Sequence, residues 1–170
     1  MAKGWEFGGL IHVAAEAIGE PGQRRFRLRA MNASGDTAAI WLEKEQLSAL
    51  GEAIGKVLQD EDYRYSPVPL DDQEPAPVFP LSAAADFRAA QLSLGTNSAE
   101  KRLVLIATES ADASDPGEVV SMQIDFRRSY ELRRQITDVV AAGRKPCPLC
   151  GGPMDPSGHV CVRSNGHQPH

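Results

Sequence analysis

The strongest constraint on the fold of this chain is that one order of hydrophobic patterns occurs twice along its 170 residues. In each half, three segments with the character of β-strands precede a segment in which apolar residues recur at helical spacing. The two helical segments superpose at one constant offset, which aligns Leu50 with Leu132 and Ile54 with Ile136. One sheet face and one helix are too little to enclose a core, so we expect the two halves to pack together.

Turn sequences rich in glycine, proline, asparagine and serine separate the expected elements. In the first half, the patterns predict strands over residues 10–18, 24–31 and 37–42 and a helix over residues 43–59. In the second half, they predict strands over residues 87–94, 102–109 and 118–124 and a helix over residues 127–142. Glu43 and Asp125 stand at the two helix starts, where a carboxylate can satisfy free backbone amides.

The predicted fold class is α+β. It consists of duplicated β-β-β-α units with antiparallel sheets, packed about a pseudo-two-fold axis, and a C-terminal segment resembling a zinc ribbon or knuckle. The predicted domains are a first unit at 1–59, an acidic proline-rich linker at 60–82, a second unit at 83–143 and a zinc-binding tail at 144–170. Proline and acidic residues at such density favour a solvated, extended linker over a docking segment for a partner.

Composition places the chain among ordinary globular proteins, with 42% hydrophobic and 24% charged residues. The formal net charge of -5 argues against binding to nucleic acid through bulk charge alone. No apolar run reaches the roughly 18 residues that span a bilayer, and the first residues lack the apolar stretch of a signal peptide. We therefore expect a cytoplasmic protein that does not associate with a membrane.

All three cysteines lie in one short stretch near the C-terminus. Cys147 and Cys150 form a Cys-x-x-Cys-Gly pair like the knuckles of rubredoxins and zinc ribbons, and His159 with Cys161 forms a second pair. Four such ligands complete a tetrahedral site and leave no open position for catalysis, so they predict a structural Zn²⁺ ion. Two alternatives stay open: three free thiols, or a catalytic zinc in which another histidine replaces Cys161.

The chain resembles an actinobacterial family of unknown function, domain of unknown function 3090. The resemblance is carried by the tail from Cys147 to Gly166, the opening Trp5-Glu6-Phe7, and the stretches at 19–24 and 42–46. It covers essentially the whole chain, although Val162 stands where the family pattern usually has proline after the last cysteine. The resemblance implies a cytoplasmic bacterial protein and no established activity.

A second candidate site is basic. The second helix and the tail carry six arginines that could bind an anionic partner: Arg127, Arg128, Arg133, Arg134, Arg144 and Arg163. Such charge beside a zinc ribbon indicates RNA, DNA or another anion, whereas the alternative is that the acidic linker lies across the helix.

A third basic feature lies on one predicted strand, where Arg25, Arg27 and Arg29 alternate with apolar residues. Side chains two residues apart in a strand share a face, so the three arginines form a ridge. We expect acids such as Glu16 on the next strand to partner this ridge, in preference to phosphate groups. His12, in the first apolar run, is expected to be a strand-face histidine and not a general base.

No pattern of paired carboxylates, Ser-His-Asp or Cys-His stands out, so an enzyme is less favoured than a binding protein. The preferred function is a non-enzymatic, zinc-stabilised interaction or adaptor protein with a protein partner. One alternative is a nucleic-acid-binding protein that uses the basic helix and the zinc tail. Another is an enzyme with an unrecognised site in a cleft between the two halves.

Overall fold

Nine strands, two α-helices and a short 3-10 helix (Leu70–Asp72) are found in the part of the chain that the structure describes. The structure is a computed structural model that describes residues 4–20, 22–75 and 77–142, with the backbone at 145–146 and 153–154. The first half contains β1 (Gly4–Ile18), β2 (Arg25–Asn32), β3 (Thr37–Leu42) and α1 (Lys44–Asp60). The second half contains β4 (Ala85–Arg88), β5 (Gln91–Asn97), β6 (Arg102–Thr108), β7 (Val119–Asp125) and α2 (Phe126–Ala142). Two short strands follow, β8 (Lys145–Pro146) and β9 (Pro153–Met154).

Seven strands form one mixed sheet in the order β4-β3-β2-β1-β7-β6-β5. Within each half, the pairings β1–β2–β3 and β5–β6–β7 are antiparallel, but β1 is parallel to β7 and β3 is parallel to β4. The α+β class is therefore confirmed, and the prediction of purely antiparallel sheets is wrong. Parallel pairing becomes possible because a helix and a long connection carry the chain back between strands. Duplication of one ancestral unit stays a prediction.

The strand expected over residues 87–94 is broken at Ala89 and Ala90. The amide of Ala89 donates to the carbonyl of Trp41 in β3 at 3.0 Å, and the amide of Ala90 donates to the carbonyl of Thr108 in β6 at 2.8 Å. The two strands on either side of this break, β4 and β5, lie at opposite ends of the strand order. Ala89 and Ala90 are adjacent in the chain and connect the first and last strands of the order. The sheet must therefore curl until these two strands come together.

β1 is long enough to pair with two neighbours in succession. Its first part, up to Gly9, pairs with β7, and its second part, from Leu10, pairs with β2. The register shifts between Glu6 and Gly8, where Gly8 adopts a φ of 65° that suits glycine at a bulge. The change of partner leaves one edge of the second part of β1 free for a helix.

That free edge is covered by α2. The side-chain oxygen Oε1 of Gln135 accepts a hydrogen bond from the amide of Ala15 at 2.7 Å. Nε of Arg128 donates to the carbonyl of Ile11 at 3.1 Å. Side chains of α2 therefore satisfy backbone groups that no strand pairs, which fixes the helix along the edge.

One core joins the buried sheet face to the buried faces of both helices. Alternate residues point inward along the strands, as the burial of Leu103, Leu105, Val120, Met122 and Ile124 shows. The helices contribute the residues that helical spacing predicted, namely Leu47, Leu50, Ile54, Leu132 and Ile136. Neither described helix is long and apolar enough to cross a membrane.

The expected acidic residues begin both helices. The carboxylate oxygen Oδ1 of Asp125 accepts from the amide of Arg128 at 2.7 Å, three residues into the turn. Glu43 is the N-cap residue of α1, and its amide donates to the side chain of Gln46 at 2.8 Å. Gln46 in turn donates to the carbonyl of Ala89 at 3.0 Å, which ties the start of α1 to the break between β4 and β5. The cap by the Asp125 carboxylate is confirmed, and Glu43 occupies the predicted N-cap position of α1.

Candidate functional site

The four predicted zinc ligands, Cys147, Cys150, His159 and Cys161, lie outside the described residues. The backbone on either side of the first cysteine pair is described: β8 and β9 are antiparallel, with Lys145 opposite Met154 and Pro146 opposite Pro153. The two ends of the segment that carries Cys147 and Cys150 are therefore held beside each other. Elsewhere, among the residues that the structure describes up to 142, no group of three or more His, Cys, Asp or Glu side chains could hold a metal ion.

The arginines of α2 face in different directions. Arg128 forms an ion pair with Asp125 and bonds the backbone of β1. Arg133 instead lies across Gly55 of α1, so closely that a Cβ on Gly55 would collide with its Nε. Arg144 and Arg163 lie outside the described residues. Binding of an anionic partner by the predicted set stays a prediction, but Arg128 and Arg133 belong to different contacts.

Two tyrosines at the start of the linker pack on the first turns of α2. The ring of Tyr63 meets Phe126 edge to face, with ring centroids 5.8 Å apart. The ring of Tyr65 stacks on Tyr130 at 4.2 Å, and its hydroxyl donates to Glu131 at 3.1 Å. The start of the linker thus packs on α2 through tyrosines, whereas covering of the helix by the acidic side chains of the linker stays a prediction.

The protonation of these tyrosines reflects their surroundings. Burial raises the pKa of Tyr63, and the Asp125 carboxylate raises it further. The pKa of Tyr65 is also raised, first by partial removal from water and then by the hydrogen bond to Glu131. Both phenols therefore stay neutral at physiological pH, and the Tyr65 hydroxyl donates its hydrogen bond to Glu131.

Phe79, near the other end of the linker, packs on the outer face of the sheet. Its ring lies 4.2 Å from the guanidinium carbon of Arg29 and 5.3 Å from the ring of His12, measured to ring centroids. Burial lowers the pKa of His12, the charges of Arg128 and Arg29 lower it further, and Glu16 opposes them. His12 is thus a strand-face histidine, as expected, and its neutral form is favoured.

The arginine ridge on β2 is partnered by a carboxylate, as predicted. Glu16 accepts from Nε of Arg27 at 2.8 Å and from a terminal nitrogen of Arg29 at 3.1 Å. Arg25 lies over the ring of Trp41 at 4.1 Å, in a cation–π contact. Intramolecular partners therefore engage the whole ridge.

A cleft of ≈ 300 Å³ opens at the end of the seam between α1 and α2. The seam itself is apolar and closely packed where Gly51 meets Ile136. The cleft is lined by Gly55, Leu58, Gln59, Asp62, Tyr63, Tyr130 and Arg133. Of these lining residues only Arg133 was predicted to bind a ligand; a further signal was the Tyr63-x-Tyr65 pair at the start of an otherwise acidic linker.

Fold and site together define a small α+β protein in which a curled mixed sheet and two helices precede a cysteine-containing tail. The chain belongs to the DUF3090 family of proteins of unknown function, whose family model matches residues 5–161. No curated protein matches the chain. The family predicted from the sequence is thus confirmed, and it assigns no activity.

Proposed function

We propose that this chain is a non-enzymatic interaction or adaptor protein whose C-terminal tail is stabilised by a structural Zn²⁺ ion. The observation that carries the proposal is the antiparallel pairing of β8 with β9 on either side of the first cysteine pair. A knuckle that presents two thiolates to one ion requires the chain to reverse at that point. Three cysteines and one histidine are a donor set that suits zinc.

Cys147, Cys150 and Cys161 would bind the ion as thiolates, and His159 as a neutral imidazole. Zinc sites of this kind contribute directly to folding, so the ion would hold the tail in one shape. The proposal places the protein in the cytoplasm, where thiols stay reduced. The tail, together with the neighbouring surface of α2, would form the surface that a protein partner recognises.

At its centre, where Gly51 meets Ile136, the seam between the helices is closed, which argues against an active site at that point. A catalytic cleft between the two halves would need polar groups converging on open space. Side chains that are almost completely buried fill the seam instead, including Ile54, Leu132 and Ile136. The arginine ridge likewise directs its charge to Glu16.

Affinity purification of the tagged full-length chain from its native host, with and without nuclease, tests the proposal. Cys150→Ser should lose a protein partner that the wild type retains after nuclease treatment. Ser164→Ala, which changes the tail without removing a ligand, is the matched control and should retain it.

Equal recovery of the partner by Cys150→Ser would contradict a zinc-dependent interaction surface. If the partner and the absorbance at 260 nm both disappear on nuclease treatment, the nucleic-acid alternative is favoured. That outcome should then come with a steep loss of affinity as salt is added.

A further inference from the structure

The cleft at the end of the helix seam brings together one cationic, one anionic and two tyrosine side chains. The turn after α1 builds one wall. Asp62 adopts a left-handed φ of 52°, and the amide of Tyr63 donates back to the carbonyl of Leu58 at 2.9 Å. This arrangement is a helix C-terminal cap, and it holds the Tyr63 ring against the end of the helix.

Arg133 builds the opposite wall. Its side chain reaches over α1 only because Gly55 has no Cβ in the way. The ion pairs found among the described residues join Arg27, Arg29, Arg88 and Arg128 to carboxylates, but none includes Arg133. Arg133 therefore lines the cleft without forming an ion pair with a carboxylate of the described residues.

We propose that this cleft binds a small ligand that carries an oxyanion, a carboxylate or a phosphate monoester, on an aromatic body. The planar guanidinium of Arg133 offers paired donors that match an oxyanion. Tyr63 and Tyr130 line the cleft with aromatic side chains, although Tyr65 covers one face of Tyr130, and Leu58, which is 5% exposed, adds an apolar side chain. A volume of ≈ 300 Å³ lies at the small end of ligand pockets, which selects a compact molecule.

One feature of the cleft opposes an anion. The carboxylate of Asp62 lines the same space, and its negative charge lowers affinity for any oxyanion through repulsion. Substitution of the positive residue and of the negative residue should therefore change affinity in opposite directions. This pair of effects distinguishes binding in the cleft from general attraction of anions to a basic surface. Removing Arg133 should weaken binding, and neutralising Asp62 should strengthen it.

The test is an NMR titration of the full-length chain with benzoate and with phenyl phosphate, following the amide signals of Gly55 and Tyr63. Benzamide is the neutral match for benzoate. Both amides should shift and saturate with at least one oxyanion, and the one that saturates identifies the carboxylate or the phosphate. Arg133→Met should weaken that binding about tenfold or more, the effect of losing one charge-assisted hydrogen bond. Lys56→Met, which removes an exposed cation of α1 that does not line the cleft, should bind like the wild type.

Two further variants sharpen the test. Gly55→Ala should displace Arg133 and weaken binding while α1 stays helical, and Asp62→Asn should tighten binding. Benzamide binding as strongly as the tighter-binding oxyanion, shifts that saturate with neither oxyanion, or Arg133→Met titrating like the wild type would each overturn the proposal. None of these results tests the proposed zinc site, because the variants leave the sequence of the tail unchanged.

Discussion

Gly51 of α1 and Ile136 of α2 meet so closely that a Cβ on Gly51 would lie 3.0 Å from Cγ2 of Ile136. Ile136 is only 2% exposed and is branched at Cβ, so neighbouring side chains and its own stiffness restrict any movement. A glycine inside a helix costs about 1 kcal/mol relative to alanine. Close contact between the helices explains why glycine stands there.

The first prediction compares two glycines of α1. Gly51→Ala gains helix propensity but forces the core apart at a cost of about 1–3 kcal/mol, so it should lower the free energy of unfolding. Gly55→Ala meets only the exposed side chain of Arg133, which can swing away, and should raise stability by about 0.5–1 kcal/mol. Urea denaturation of both variants measures the difference. Equal stabilisation by the two substitutions would show that the helices are not in tight contact at Gly51.

The second prediction concerns the start of α2. Asp125→Ala removes the acceptor for the amide of Arg128 and the ion-pair partner of its side chain. Loss of such a cap should lower the free energy of unfolding by about 0.5–2 kcal/mol. Thermal or urea unfolding measures it. Asp138→Ala, at an exposed position of the same helix, should stay within about 0.5 kcal/mol of the wild type. A similar effect of both changes would argue against the cap.

The third prediction follows from the lowered pKa of His12. Because the folded protein binds a proton at this site less readily than the unfolded chain does, His12 favours folding above its usual pKa of 6.5. That contribution is lost as pH falls from about 6.5 through the lowered pKa. His12→Gln should therefore show a flatter dependence of stability on pH in this window. Unfolding curves between pH 5 and 7.5 test it, and identical slopes for the two proteins would refute it.

Local sequence patterns predicted the helices and most strands because each helix or strand depends on residues that are close together in the sequence. Helical spacing placed the second helix at 127–142, and the structure has it at Phe126–Ala142. The ridge of Arg27 and Arg29 could be assigned to Glu16 because strands joined by a short turn pair in antiparallel register.

Sheet order could not be predicted in the same way. The parallel pairings of β1 with β7 and of β3 with β4 join segments that are distant in the sequence, and no local pattern encodes them. The break at Ala89 and Ala90 could not be predicted for the same reason. It depends on the backbone changing its hydrogen-bonding partner from β3 to β6, which are distant in the sequence. The contacts of Tyr63 and Phe79 were missed because composition describes the average of a linker, and single aromatic residues decide where it packs.

The measurement that tests the central claim most directly is the zinc content of the full-length chain, purified under reducing conditions without chelator. Elemental analysis should find about one zinc ion per chain, the stoichiometry of one four-ligand site. Cys150→Ser should release the metal and expose the tail to protease, while the far-UV circular dichroism of the sheet and helices is retained. Ser164→Ala should keep the metal. Metal-free wild-type protein, or a Cys150→Ser variant with unchanged zinc, would contradict the account.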